Sequence, residues 1–174
     1  MTDTELIAFI HRYFASEKHT ALINVSLGVA MIIAAVALRR WSVDISFQKG
    51  VAYPLISVGL FLMLAAGAFF FVINWRATSL ISSYKKLPEV EARSQETARL
   101  SRIVTHSYKS MFWICGAMIT VGIPMGFMSS QSLFRRGVAF GLVLVSLLII
   151  MSELYSKQKN IQFLREIQAS NGYQ

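Results

Sequence analysis

The sequence predicts an all-α, polytopic membrane protein with four transmembrane helices. The first observation behind this prediction is the composition, because 55% of the 174 residues are hydrophobic and only 15% are charged. Soluble domains average about 45–50% apolar and about 25% charged residues. The second observation is that charged residues are missing from long tracts, and an apolar tract of roughly 18 residues or more is a candidate transmembrane helix.

Four apolar tracts define the predicted spans. The fourth uncharged tract is shorter than the others, but apolar residues beyond its flanking charges lengthen it. The predicted spans are residues 21–38, 51–74, 111–128 and 134–155. No linker, repeat or low-complexity segment divides the chain, so we expect residues 1–174 to form a single membrane domain.

The first tract has an alternative interpretation as a cleaved signal peptide. Ala35, Val36 and Ala37 resemble a small-residue cleavage site. The long apolar run and the two arginines that follow it favour a span that stays in the protein.

Three further segments are predicted to be helical. Residues 1–20 form an amphipathic N-terminal helix, which either lies in the membrane interface or packs on other cytoplasmic helices. Residues 75–110 form a cytoplasmic helical hairpin with a break near Leu87, because Pro88 suits the start of a helix. Residues 156–174 form a cytoplasmic tail helix that packs on this hairpin.

The distribution of basic residues predicts the orientation. Twelve of the 17 Lys and Arg residues lie before the first span, between the second and third, or after the fourth, and five lie in the other two connections. The positive-inside rule therefore places both termini in the cytoplasm. The net charge of +8 is explained by this orientation and by contact with the lipid bilayer, so no nucleic-acid partner is expected.

Glycines in the third and fourth spans predict a helix contact. The stretch GIPMGFMSSQSLFRRGVAFG contains two G-x-x-x-G pairs that are mirror images about its centre. If the chain folds there as an antiparallel hairpin, Gly126 lies beside Gly137 and Gly122 lies beside Gly141. Small residues at this spacing allow close backbone approach inside lipid.

Polar residues within the spans are few. Asn24 is the costliest of them to leave unpaired in lipid, so we expect it to form a hydrogen bond between helices. Glu153, at the cytoplasmic end of the fourth span, is the only ionisable candidate for a pathway through the membrane, and its position suits the interface.

Sequence motifs for catalysis or metal binding are absent. The chain has no P-loop, nucleophile-elbow or zinc-protease motif, and its three histidines lack metal-ligand spacing. The single cysteine, Cys115, lies inside the third span and has no partner for a disulfide. We therefore predict no catalytic, metal or cofactor site, and a protein that is not an enzyme.

The size, span number and orientation of the whole chain resemble small four-span inner-membrane immunity proteins and plasmid or phage exclusion proteins. No motif accompanies this resemblance, so it transfers no functional residue. It implies protection through contact with a toxin or an incoming entry apparatus, at the spans or at the connections WSVDISFQKG and SSQSLFRR. The alternatives are a small channel or transporter, as a homo-oligomer, and a membrane-disrupting effector.

Overall fold

The structure is a computed structural model that describes residues 3–40, 45–128 and 132–169. Nearly all of these residues are helical, in the order α1 (Asp3–Arg40), α2 (Ile45–Tyr84), α3 (Glu89–Arg102), a π-helical segment (Ile103–Ser107), α4 (Tyr108–Met128) and α5 (Leu133–Ala169). The π-helical segment joins α3 to α4 without a break, so the described ranges form four rods. Each rod contains a stretch long and apolar enough to cross a membrane, which confirms the predicted fold class.

The terminal segments are continuous with the spans. From Asp3 onward, the segment predicted as a separate helix at residues 1–20 is the first half of α1. The predicted tail helix is, as far as Ala169, the last part of α5. The chain has no Gly or Pro near either junction to end a helix. The N-terminal stretch buries Leu6, Phe9 and Ile10 inside the protein, so it packs on other helices, as one of its two sequence interpretations proposed.

The rods are longer than a bilayer requires. A helix of 40 residues, such as α2, is about 60 Å long, whereas the hydrocarbon core of a bilayer is about 30 Å thick. Half of each long rod therefore extends beyond the apolar layer. We call the end of the bundle that carries both chain termini and α3 the terminal end, and the opposite end the loop end.

The break between α2 and α3 lies around Leu87, where the sequence predicted it. The Leu87 amide donates to the Tyr84 carbonyl at 3.1 Å, and the Glu91 amide donates to the Pro88 carbonyl at 3.0 Å. Proline is compatible with a helix start because the first amides of a helix need no intrahelical acceptor. Glu89 and Glu91 then place negative charge in the first turn of α3.

The rods pack in the spatial order α1, α2, α5, α4. In the most apolar window of α5, 33% of the residues are buried, against 11% in the corresponding windows of α2 and of the α3–α4 rod. Because α4 packs chiefly against α5, α5 is the central rod and α4 lies at one side.

Two separate clusters of buried residues hold the bundle together. The terminal cluster is rich in large side chains and consists of Leu6, Phe9, Ile10, Tyr13, Phe14, Ala21, Ile73, Tyr84, Ala92, Leu100 and Ile167. The central cluster lies toward the loop end and consists of Met31, Ala35, Val51, Ala52, Leu55, Cys115, Val145 and Ile149. The large aromatic side chains of the terminal cluster suit a region in contact with water, because burial of apolar area is favourable there. Helix association within lipid relies instead on close packing, which suits the smaller side chains of the central cluster.

Candidate binding cavity

An open cavity of about 800 Å³ lies between the two clusters. Along α5, the central cluster ends at Ile149, the cavity is lined by Glu153, Ser156 and Asn160, and the terminal cluster follows at Ile167. The other walls come from α1, α2, the π-helical segment and the start of α4. Among the described helices, α2 and α4 both line the cavity but make no extensive contact with each other. The α1 and α4 rods likewise make no extensive contact with each other, so α4 is held to the bundle chiefly through α5.

A chain of hydrogen bonds crosses the cavity wall and links α1, α4 and α5. Tyr13 Oη donates to Glu17 Oε1 at 3.0 Å, and Asn160 Nδ2 approaches the same oxygen at 3.4 Å. The Asn160 amide also donates to Tyr108 Oη at 2.7 Å, which lies 3.0 Å from Ser156 Oγ. Polar networks of this kind fix the relative position of the helices that contribute to them.

The two carboxylates that line the cavity have no ion-pair partner. Within the described part of the chain, neither Glu17 nor Glu153 forms an ion pair, and Glu153 also lacks a hydrogen bond. Both side chains are half-buried. In such a site a nearby cation interacts with a carboxylate more strongly than in water.

The end of the cavity nearest the central cluster is mostly apolar. Phe61, Leu62, Ala65 and Ala66 of α2 line it. Its polar group is Asn24, whose Oδ1 accepts a hydrogen bond from Ser152 Oγ at 2.5 Å. The bond joins α1 to α5. Asn24 therefore has the interhelical hydrogen-bond partner that was expected because an unpaired amide is costly in lipid.

The opposite end of the cavity is closed by a buried ion pair. Glu96 is fully buried and Arg99 is 27% exposed at its side chain. Arg99 donates to both carboxylate oxygens of Glu96, at 2.7 and 2.6 Å, and Tyr84 Oη donates to the carboxylate at 2.9 Å. The guanidinium also lies 4.7 Å from the centre of the Tyr13 ring. The charge of Arg99 is therefore neutralised within the wall.

The π-helical segment lies at the cavity and was not predicted from the sequence. Its first and last residues, Ile103 and Ser107, both line the cavity, and Tyr108 follows directly. Short π-helical insertions are rare and are found frequently at functional sites. No Gly or Pro marks this one, so only the packing of Tyr108 against α5 reveals it.

The four glycines predicted to pair across a hairpin lie at helix contacts, but with different neighbours. A Cβ atom built on Gly126 would lie 3.6 Å from Ala139 Cβ, and one built on Gly122 would lie 3.1 Å from the Ala139 carbonyl oxygen. Gly137 and Gly141 face α2 instead. The pairing of Gly126 with Gly137 and of Gly122 with Gly141 is therefore wrong, because α5 turns its glycine face toward α2 and its Ala139 face toward α4.

The closest helix contacts involve Gly137 and three glycines that the sequence analysis did not select, Gly28, Gly50 and Gly59. A Cβ atom on Gly137 would overlap the Phe47 carbonyl oxygen, and one on Gly50 would overlap the Phe134 carbonyl oxygen. Gly28 and Gly59 face each other across α1 and α2, where a Cβ on either would lie 2.5 or 2.8 Å from the other's carbonyl oxygen. Gly50 and Pro54 lie one helical turn apart on α2. This spacing was the sequence pattern that could have identified the face of α2 in contact with α5.

The described residues contain no group of three or more His, Cys, Asp or Glu side chains that could hold a metal ion. Cys115 is buried in the central cluster. The cavity is an amphipathic space with an apolar end, two carboxylates and a polar rim.

The fold is that of a multi-pass, all-α membrane protein, and it contains an open cavity. No protein-family model matches the chain, and no curated protein or solved structure is significantly similar to it.

Replacing Asn24 by valine tests the hydrogen bond to Ser152. We expect a loss of about 0.6 to 1.7 kcal/mol in the free energy of unfolding, the range found for hydrogen bonds between membrane helices. Unfolding in mixed micelles would be measured for Asn24→Val, Ser152→Ala and the double variant. Additive effects of the two substitutions would contradict a direct bond, since contacting pairs show a coupling energy.

Proposed function

We propose that this chain is a non-enzymatic integral membrane protein that recognises another membrane protein and thereby protects a bacterial cell. The proposed effect is immunity to a membrane-active toxin or exclusion of incoming phage or plasmid DNA. The proposed location is the inner membrane with both termini in the cytoplasm, which the excess of basic residues at the terminal end supports.

One surface feature carries this proposal. The α4 helix lies at one side of the bundle, and it presents large side chains away from α5. Trp113 is 79% exposed, Phe127 83% and Met128 84%. A helix with one partner and such a surface can accept a second transmembrane helix, and tryptophan is the residue type most enriched at the centres of interfaces.

Protection follows if the bound helix belongs to a toxin or an entry apparatus. Such proteins act by assembling several helices into a conducting path. A partner helix held against α4 is withdrawn from that assembly, so the effect needs stoichiometric binding and no turnover. Two connections were predicted to meet a partner, WSVDISFQKG (residues 41–50) and SSQSLFRR (residues 129–136). Residues 41–44 and 129–131 lie outside the described residues. Residues 45–50 belong to α2, and residues 133–136 belong to α5.

The test compares two equally exposed positions in living cells. A photo-reactive amino acid at Trp113 samples the α4 surface, and the same residue at Phe71, which is also 79% exposed, samples α2. We expect cross-links to a toxin or entry protein from position 113 and only lipid adducts from position 71. Lipid adducts alone at both positions would contradict a partner on α4.

A survival assay then connects the contact to protection. Cells that express the protein are challenged with toxins, plasmids or phages from the same genetic context. Trp113→Ala should reduce survival at least tenfold, whereas Phe71→Ala should leave it unchanged. Equal survival with and without the protein in every challenge would contradict a protective role.

The cavity favours a second candidate function, a small transporter. An open cavity whose lining changes from apolar to polar side chains supports this candidate. Flux of a solute into proteoliposomes, reduced by Ala65→Trp within the cavity, would support transport over protection.

A further inference from the structure

We propose that the cavity binds an amphiphilic organic cation, with the positive group at Glu153 and the apolar body against α2. This proposal goes beyond the protective function and does not depend on it. It also does not require transport, because it concerns binding alone.

The size and lining of the cavity fit a ligand of this class. A volume of about 800 Å³ lies within the range of roughly 300–1,000 Å³ that is usual for small-molecule sites. Phe61 and Leu62 supply an apolar wall at the end near the central cluster. Such a wall holds the apolar part of an amphiphile, while the polar groups of Glu17, Ser156 and Asn160 face its polar part.

Charge selects the sign of the ligand. The two basic residues that line the cavity are Arg76 and Arg99, but Arg99 is neutralised by its bidentate pair with Glu96. Glu17 and Glu153 have no such partner among the described residues. A cation beside Glu153 would give this carboxylate the ion-pair partner that it lacks.

Arg76 lies too far from Glu153 to cancel its charge, and is nearer to Glu17. Gly28 lies beside Gly59, and Asn24 bonds to Ser152, so these contacts set the register of the rods. From that register Arg76 lies about 18 Å nearer the terminal end than Glu153. Its side chain is exposed and its guanidinium lies 5.8 Å from the centre of the Phe69 ring, which places it at the outer rim.

An aromatic ring adds to the preference for a cation. Tyr108 lines the cavity and lies close to Ser156 and Asn160. The face of such a ring attracts organic cations. The rings of Tyr13 and Phe69 also line the cavity, but they already lie near the guanidinium groups of Arg99 and Arg76. The cavity is open, so a ligand can enter it.

The test uses two probes of the same shape and opposite charge. Tetraphenylphosphonium and tetraphenylborate are added to the full chain in phosphatidylcholine nanodiscs, and bound probe is measured by equilibrium dialysis. We expect saturable binding of one tetraphenylphosphonium per chain and no saturable binding of tetraphenylborate. Saturable binding of both ions, or of neither, would overturn the proposal.

Two matched substitutions on α5 locate the site. Glu153→Gln and Glu166→Gln remove the same charge from the same helix, but Glu166 lies outside the cavity in an exposed pair with Arg12. Glu153→Gln should raise the Kd for tetraphenylphosphonium at least tenfold, and Glu166→Gln less than twofold. Equal effects of the two substitutions would show that general surface charge attracts the probe, and would overturn the cavity as its site.

A third variant guards against loss of structure. Ala65→Trp fills the apolar end of the cavity without changing any charge, and it should also abolish saturable binding. The rate at which a maleimide labels the buried Cys115 verifies that each variant keeps its fold. Unchanged binding by a folded Ala65→Trp variant would overturn the assignment. Binding without flux leaves the proposal intact and counts only against the transporter.

Discussion

Gly137→Ala is expected to separate α2 from α5 and to destabilise the bundle by about 3 kcal/mol, the upper end of the usual cost of overpacking. The added methyl would overlap the Phe47 carbonyl oxygen and crowd Gly50 Cα at 3.0 Å. Both are backbone atoms, which cannot move aside as a flexible side chain can. The gain in helix propensity from glycine to alanine, about 1 kcal/mol, offsets only part of this cost.

The buried thiol of Cys115 offers a direct measurement. Cys115 belongs to the central cluster together with Val51 and Leu55 of α2, so its labelling rate during a titration with SDS reports the opening of this region. Gly137→Ala should shift the transition to a lower SDS fraction. Gly67→Ala is the matched control, because nothing lies within 4 Å of a Cβ built there, and it should leave the transition unchanged or raise it slightly.

Gly126→Ala distinguishes the observed helix packing from the glycine pairing that was predicted from the mirrored G-x-x-x-G motifs. In the structure its methyl would make an ordinary contact of 3.6 Å with Ala139, so we expect a change within about 1 kcal/mol. A backbone contact between Gly126 and Gly137 would instead make both substitutions equally harmful. Equal destabilisation by the two would therefore contradict the observed orientation of α5.

Glu96→Ala is expected to reduce the stability of the terminal end by about 3–5 kcal/mol, the usual cost of removing one partner from a buried ion pair. Glu96 is fully buried. Without it, Arg99 and the Tyr84 hydroxyl lose the acceptor that they share. The loss is larger than for a surface pair because water replaces the missing partner poorly at this position.

Hydrogen exchange measured on peptides from α3 would report this change, since their amides exchange through local opening of the terminal end. The control is Arg12→Ala, which breaks an ion pair whose side chains are 60% and 45% exposed. Exposed pairs contribute about 0–1 kcal/mol. If the two variants accelerated exchange in α3 equally, the buried Glu96 would contribute no more to stability than the exposed Arg12, and the prediction would be wrong.

The number and position of the apolar helices could be predicted because composition alone decides them. Tracts without charges are long enough to cross a bilayer, and Pro88 ends one helix and begins the next. The continuity of α1 through residue 20 could not be predicted in the same way. An amphipathic pattern is equally compatible with a separate helix at the interface and with a longer rod, and only the burial of Phe9 and Ile10 distinguishes them.

The residues that meet at the cavity could not be predicted from the sequence. Glu17 and Asn160 are separated by 143 residues, and nothing local to either predicts that they meet. Asn24 stood out because an amide is costly within lipid, but its partner Ser152 did not. A serine in a helix can satisfy itself by bonding to the preceding turn, as Ser146 does with the Leu142 carbonyl at 2.7 Å.

By itself, the sequence determined that this chain is helical, that four of its segments suit a bilayer, and where basic residues accumulate. These properties follow from the transfer free energy of individual side chains, which depends little on their neighbours. Only the tertiary structure decided which glycines meet, which helix is central and where a cavity remains. Each of these features depends on how a helix is rotated about its own axis. Successive residues of a helix are 100° apart, so a rotation of 100° replaces the residue at a given contact by its neighbour in the sequence.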